Sequence, residues 1–319
     1  MRYAWPITVN EPPHLLAFRK LRELTLTAPV APGRPRHLSA ASGLVAVQSF
    51  LYVAADDEHH LGVFPVSGSA PGALIRLLDG DLPDNKEERK QLKPDLEALV
   101  LLPPFSSVAC GALFAIGSGS TANRNRGFVL PLDRLGAVVG KPRSIDLLPL
   151  FTPIRERVGD LNIEGAVILA DRLHLLQRGN KGGGINALIT LMLPQVLLAL
   201  AAGDVIGEMP FDCRRYELGS VDGVPLGFTD GAGLRDGRIV FTAVAEDTNS
   251  SYLDGLCLGA AVGILAADGD LQRLEPFNPA AKVEGVDAHL EGDRIRLLLV
   301  TDADDARVPA LLCAAEIDR

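Results

Sequence analysis

"LNIEGAVILADRLHLLQRGN", residues 161–180, decides the fold. Its first eleven residues are apolar except for Asn162, Glu164, Gly165 and the closing Asp171. A lone carboxylate in such a run is costly to bury. The pattern explains itself once it is seen to recur.

The template is a polar or small residue, then Gly or Ala, a short apolar run, a polar turn and a second apolar run. "KPDLEALVLLPP" (93–104) carries Glu97 in the acid's place. "LGFTDGAGLRDGRIVFTAVAED" (226–247) carries Asp230, and "AKVEGVDAHLEGDRIRLLLVTDADD" (281–305) carries Glu284. "LSAASGLVAVQSFLYVAADDE" (38–58) matches with Ser42. Units therefore begin near 42, 97, 164, 230 and 284, at intervals of 54 to 67 residues. Such a period is the mark of a repeat architecture.

Each unit continues with a polar loop and a third apolar run, and four units add a fourth run. Short apolar runs bounded by Gly, Asp, Asn and Pro read as strands. Four strands per unit, repeated around an axis, predict an all-β five-bladed β-propeller over residues 1–319, six blades being the main alternative. The last unit lacks its fourth run, and "RELTLTAP" (22–29) is an orphan run before the first unit. The N-terminal strand is therefore expected to complete the final blade and remove an open sheet edge.

In such a ring the first strand of each blade faces the channel. Ser42, Glu97, Glu164, Asp230 and Glu284 are then expected near one channel mouth. Four converging carboxylates must be protonated, solvated, paired with Arg or Lys, or bridged by a cation. An all-oxygen set suits Ca²⁺, or Mg²⁺, rather than zinc. Asp95 and Asn162 lie two residues before their glutamates and alternate onto the same side.

Loops between second and third strands should share one face. Those of the second and third units carry Arg124, Arg126, Arg178, Lys181 and Asn180, a set suited to a small anion. The other three carry acids, among them Glu246 and Asp302, which suit a general base. The alternative is that these charges pair across neighbouring loops and stabilise the rim. His59 and His60 read as rim residues and His174 as a core residue. No Gly-x-Ser-x-Gly elbow is present, so serine-hydrolase chemistry has no support.

A net charge of −9 argues against nucleic acid or an anionic membrane surface as partner. The four cysteines have no CxxC spacing and read as free thiols. The most apolar stretch, "ALITLMLPQVLLALAAG" (187–203), is too short to span a bilayer and contains Pro194; it reads as a strand followed by a short helix. The N-terminal residues lack a secretory pattern, and the expectation is a cytoplasmic protein.

The units around Glu97, Glu164 and Glu284 resemble those of phytase-like ("esterase-like") propellers. More distantly, they resemble the gluconolactonase and senescence-marker group and the calcium-activated nucleotidases. The resemblance implies an axial cation, commonly calcium, and hydrolysis of a phosphoester or lactone. It would make Glu97, Glu164, Asp230 and Glu284 channel-lining ligands. Ser42, where an acid is expected, departs from the pattern, as do the missing secretion signal and disulfides. Two functions remain: a metal-dependent hydrolase at the channel mouth, and a non-catalytic propeller that binds a ligand or a protein there.

Overall fold

A computed structural model describes residues 3–4, 15–106, 108–180, 182, 184–248, 255–279 and 281–319. Five sheets surround one axis as the blades of a β-propeller. Blade 1 comprises Ala41–Val47, Phe50–Ala55, His60–Pro65 and Ala73–Arg76. Blade 2 comprises Leu96–Leu102, Ala112–Gly117, Arg126–Pro131 and Arg143–Asp146. Blade 3 comprises Ile163–Leu169, Arg172–Gln177, Asn186–Met192 and Phe211–Tyr216. Blade 4 comprises Val224–Gly233, Ile239–Asp247, Leu256–Leu265 and Leu271–Pro276, and Ser220–Val221 extends its inner edge. Blade 5 comprises Val283–Glu291, Arg294–Thr301 and Leu311–Asp318, and its outer strand is Arg19–Glu23.

The closing strand thus begins a few residues earlier than the orphan run suggests. Leu24 and Leu26 continue past it and pack in the core between blades 1 and 5. The long apolar stretch is a strand followed by a helix, as its Pro194 implies. Among the described residues three α-helices lie between strands: α1 (Lys86–Leu92), α2 (Leu148–Val158) and α3 (Leu193–Ala202). The repeat pattern does not announce α1 or α2. No helix among the described residues is long and apolar enough to cross a membrane. The four cysteines are free.

Every inner strand carries one irregularity, and it is the same one. Pairing with the second strand slips at Leu96/Ala98, Ile163/Gly165, Phe228/Asp230 and Val283/Gly285, and between Ala41 and Leu44 in blade 1. One residue is thereby left without a cross-strand partner, as in a β-bulge, which re-aims its side chain. The bulged residues are Glu97, Glu164, Thr229 and Glu284, with Ser42 and Gly43 spanning the bulge of blade 1. Register thus puts Thr229, not Asp230, at the repeat position in blade 4. Asp230 stands where blades 3 and 5 have Gly165 and Gly285.

Those glycines are required by close approach at the axis. A Cβ on Gly285 would lie 2.2 Å from the carbonyl oxygen of Ser42, and one on Gly165 would lie 2.8 Å from the Cα of Asp230. The Glu–Gly pair is thus a bulged acid followed by a residue small enough for the next blade's inner strand to pass.

Candidate functional site

The channel mouth is a cavity of about 600 Å³, within the usual range for small-ligand sites. Loops between the second and third strands supply much of its wall, so their acids and bases do gather on one face.

Glu97, Glu164 and Glu284 form the floor. All three are buried, and one carboxylate oxygen from each lies within 4.8 Å of the others. Glu164 accepts hydrogen bonds from Asn162 Nδ2 and from Arg178 Nη1, the latter at 3.1 Å. Oε1 of Glu284 is buried without a hydrogen-bond partner. Burial, reinforced by neighbouring carboxylates, raises the pKa of all three. Glu164 is pushed up to about 8 even with Arg178 opposing the shift.

Asp230 is elsewhere. It is buried, and its Oδ2 accepts the Val286 amide at 2.9 Å from the inner strand of blade 5. It does not line the cavity. Thr229, at the true ring position, donates to the Val283 carbonyl and hydrogen-bonds Thr242. The floor therefore holds three carboxylates, with hydroxyl residues in the ring positions of blades 1 and 4.

The tier two residues above contains Asp95, Asn162 and Lys282. Lys282 is a site residue that the repeat reading passes over, although the alternation that points to Asp95 and Asn162 applies to it equally. Its Nζ lies 2.7 Å from Asp304, 3.5 Å from Glu284 and 3.7 Å from Asp302. Blade 4 has Gly227 in this tier, and Arg178 fills the gap. Buried Gln177 and Asn186 clamp the chain on either side of Arg178. Gln177 donates to the carbonyls of Asp160 and Arg178, and Asn186 Oδ1 accepts the Gly179 amide at 2.8 Å. The arginine then lies across Gly227 and reaches Glu164, Glu246 at 2.6 Å and Glu284 at 3.7 Å. Burial alone would lower its pKa, but the three glutamates outweigh that and raise it.

A Cβ on Gly227 would sit 2.7 Å from the Gly179 carbonyl oxygen and 2.8 Å from Arg178 Cγ. Gly227→Ala should therefore cost about 1–3 kcal/mol through overpacking. Urea unfolding measures the loss, and an unchanged midpoint would show that Arg178 does not need this passage.

The anion-binding set is divided by the structure. Arg124 is buried, donating to Asp95 at 2.7 Å and to Ser120 at 2.9 Å. Arg178 is committed to glutamates. Asn180 lines the cavity and hydrogen-bonds Asp160 at 3.2 Å. Arg126 is exposed and outside the lining, while Lys181 falls outside the described residues. Many charges thus pair across loops, which is the rim-stabilising alternative. His59 and His60 do not line the cavity, and His60 is buried. His174 is half-buried in blade 3 and hydrogen-bonds Thr190.

The two candidate bases also differ. Both oxygens of Glu246 are occupied, one by Arg178 and the other by the Gly255 amide at 2.6 Å. Asp302 accepts the Asp304 amide at 2.8 Å, and burial raises its pKa well above the ordinary carboxylate value.

Lys93 is a further unforeseen site residue. Asn85 caps α1 by accepting the amides of Glu87 and Glu88, and Pro94 forces Lys93 out of helical geometry. Its side chain then turns inward and ion-pairs with Asp56 and Asp95.

Comparison with known proteins adds the following. Among solved structures, a thermostable family-43 glycoside hydrolase is similar at 12% identity and a TM-score of 0.44, over 90% of this chain and 91% of that one. An α-L-arabinofuranosidase from Fusarium graminearum is similar at 8% identity and a TM-score of 0.44, over 94% and 98%. A streptogramin B lyase is similar at 12% identity and a TM-score of 0.37, over 93% and 97%. Comparison with curated proteins finds no match. Residues 37–317 match the model of a family of unknown function, DUF6929, and the chain belongs to that family.

Proposed function

We propose that the channel mouth binds one divalent cation, Ca²⁺ or Mg²⁺, on Glu97, Glu164 and Glu284, and hydrolyses a small anionic phosphoester or lactone beside it. The observation that carries this reading is the convergence of three buried carboxylate oxygens within 4.8 Å at the floor of an open cavity. Oxygens about 2.4 Å from a shared calcium ion stand roughly 3.4–4.8 Å apart, so the spacing fits. Oε1 of Glu284 accepts no hydrogen bond and is held only by the longer ion pairs to Lys282 and Arg178, so it can serve as a ligand atom. The repeat-level resemblance to phytase-like propellers agrees with such a site.

A bound cation supplies polarisation of a phosphoryl or acyl oxygen and a more acidic water. Asp302, facing the cavity with a raised pKa, exchanges the proton. Glu246 positions Arg178, and Arg178 and Asn180 face the anionic end of the substrate.

One observation favours the second reading, a non-catalytic ion- or ligand-binding propeller. Arg124, Arg178 and Glu246 are already engaged in internal ion pairs, which leaves fewer groups for substrate.

Calorimetric titration of chelator-treated protein with Ca²⁺ and Mg²⁺ tests the shared premise. One cation per chain is expected, with Glu284→Gln weakening binding at least about tenfold, the loss of one charged ligand. Absence of binding to the wild type overturns the metal reading. Turnover of p-nitrophenyl phosphate or a simple lactone, abolished by Asp302→Asn, supports the hydrolase. Cation binding with no turnover across a broad ester panel supports the binding propeller.

A further inference from the structure

Glu97 belongs to two acidic groups. One is the axial trio with Glu164 and Glu284. In the other, carboxylate oxygens of Asp56, Asp95 and Glu97 also lie within 4.8 Å of one another. The second group joins the loop of blade 1 to the inner strand of blade 2. Two cations already touch it: Lys93 Nζ lies 2.8 Å from Asp95 Oδ1 and ion-pairs with Asp56 Oδ2, at the centre of the group, while Arg124 Nη1 lies 2.7 Å from the other oxygen of Asp95, at its edge. Glu97 itself is only 8% exposed, and among the described residues no hydrogen bond or ion pair reaches it. Oδ1 of Asp56 is likewise buried without a hydrogen-bond partner. Glu97 and Asp56 Oδ1 therefore leave ligand capacity that Lys93 and Arg124 do not use.

We propose that Asp56, Asp95 and Glu97 form a second divalent-cation position, whose occupant in this chain is the tethered ammonium of Lys93. Glu97 is the carboxylate shared between this position and the axial one. The site is thus built on a two-cation plan, with one cation supplied covalently. An ammonium on a four-carbon stem pairs with Asp56 and Asp95 at any ion concentration, and it staples blade 1 to blade 2 as a metal would. It offers neither the Lewis acidity nor the coordination number of a metal ion, so the chain takes one exchangeable cation instead of two. The chemical class of ligand for the vacated position is a hard divalent cation, since all three donors are carboxylates.

The inference shares Glu97 with the function proposed above, and it is tested separately by counting cations. Equilibrium dialysis against Ca²⁺ and against Mn²⁺ would be run on full-length wild type, Lys93→Ala, Lys93→Gln and Lys93→Arg. Each neutral variant is expected to bind one more cation per chain than the wild type, and Lys93→Arg to match the wild type. The added cation should disappear when Glu97→Gln is combined with Lys93→Ala. Melting with and without Ca²⁺ gives a second readout: the stabilisation by Ca²⁺ should be larger in Lys93→Gln than in wild type. A change from zero to one cation upholds the second position and removes the axial one. A count of one in wild type and in both neutral variants overturns this inference and leaves the axial site standing. A wild type that binds two also overturns it, because Lys93 would then exclude nothing.

Discussion

Replacing Arg178 with methionine is expected to lower the melting temperature by about 5–10 °C at pH 9, above the pKa of Glu164, and by much less at pH 5. The guanidinium is the shared counter-charge of Glu164, Glu246 and Glu284, in a site where all four side chains are at least nine-tenths buried. Methionine keeps most of the apolar stem but removes the charge. Breaking a buried pair costs about 3–5 kcal/mol, chiefly because the abandoned carboxylates stay buried and uncompensated. At pH 5 Glu164, whose pKa burial raises to about 8, carries a proton and the penalty shrinks. Added Ca²⁺ should recover part of the loss, since an ion among the glutamates replaces the lost charge. Thermal scans at both pH values, with chelator and with Ca²⁺, check this. An equal loss at both pH values would mean that Arg178 contributes by packing and not by charge.

The second large effect concerns the wild type without added cation. Its stability should fall as pH rises from about 5 to 8.5, by an amount on the order of a few kcal/mol. The ordinary value for a glutamate is 4.5, and burial raises Glu164 to about 8 in the folded chain. Burial likewise raises Glu58 to about 8 and Asp57 to about 7 beside the channel mouth. A carboxyl with a raised folded value holds its proton more tightly folded than unfolded. Its contribution is therefore present below the unfolded value and lost as pH climbs through the folded one. A cation held by the floor glutamates reverses this, because binding requires and rewards their ionisation. The rise in melting temperature on adding Ca²⁺ should thus be larger at pH 8.5 than at pH 5.5. A flat melting temperature across this range in chelator would show that the glutamates ionise freely in the folded state.

Both effects come from one feature of the mouth. Lys93 joins carboxylates of blades 1 and 2, Arg178 joins those of blades 3, 4 and 5, and Lys282 joins Glu246 of blade 4 to Glu284 and Asp302 of blade 5. Each buried cation spans an interface between blades. The charges that stabilise the mouth are also those that shape its floor, so substitutions in the site should rarely alter ligand binding without altering stability.

Much of this was legible in the residues themselves. The strands, their order within a unit and the number of units follow from local signals: short apolar runs, turn residues and a period of 54 to 67 residues. The completion of the last blade by an N-terminal strand follows from counting runs. Glu97, Glu164 and Glu284 were identifiable as ring members because the same acid precedes the same small residue. Lys282 could have been found by the alternation that marks Asp95 and Asn162.

Tertiary structure alone decided the rest. A β-bulge shifts register by one residue without changing the apolar pattern, so the string "FTDG" cannot tell which of Thr229 and Asp230 occupies the ring. Only pairing across the strands places Thr229 there and sends Asp230 to the Val286 amide. Nor does sequence distance reveal that Arg178 crosses Gly227 to serve carboxylates on three blades, or that Lys93 turns back from a helix end to meet Asp56. Strand and turn formation depend on neighbours along the chain, whereas charge pairing depends on distances set when five blades close around an axis. The sequence by itself therefore determined the propeller and the acids of its channel, and the closed ring determined which charges neutralise one another and which carboxylates remain for a ligand.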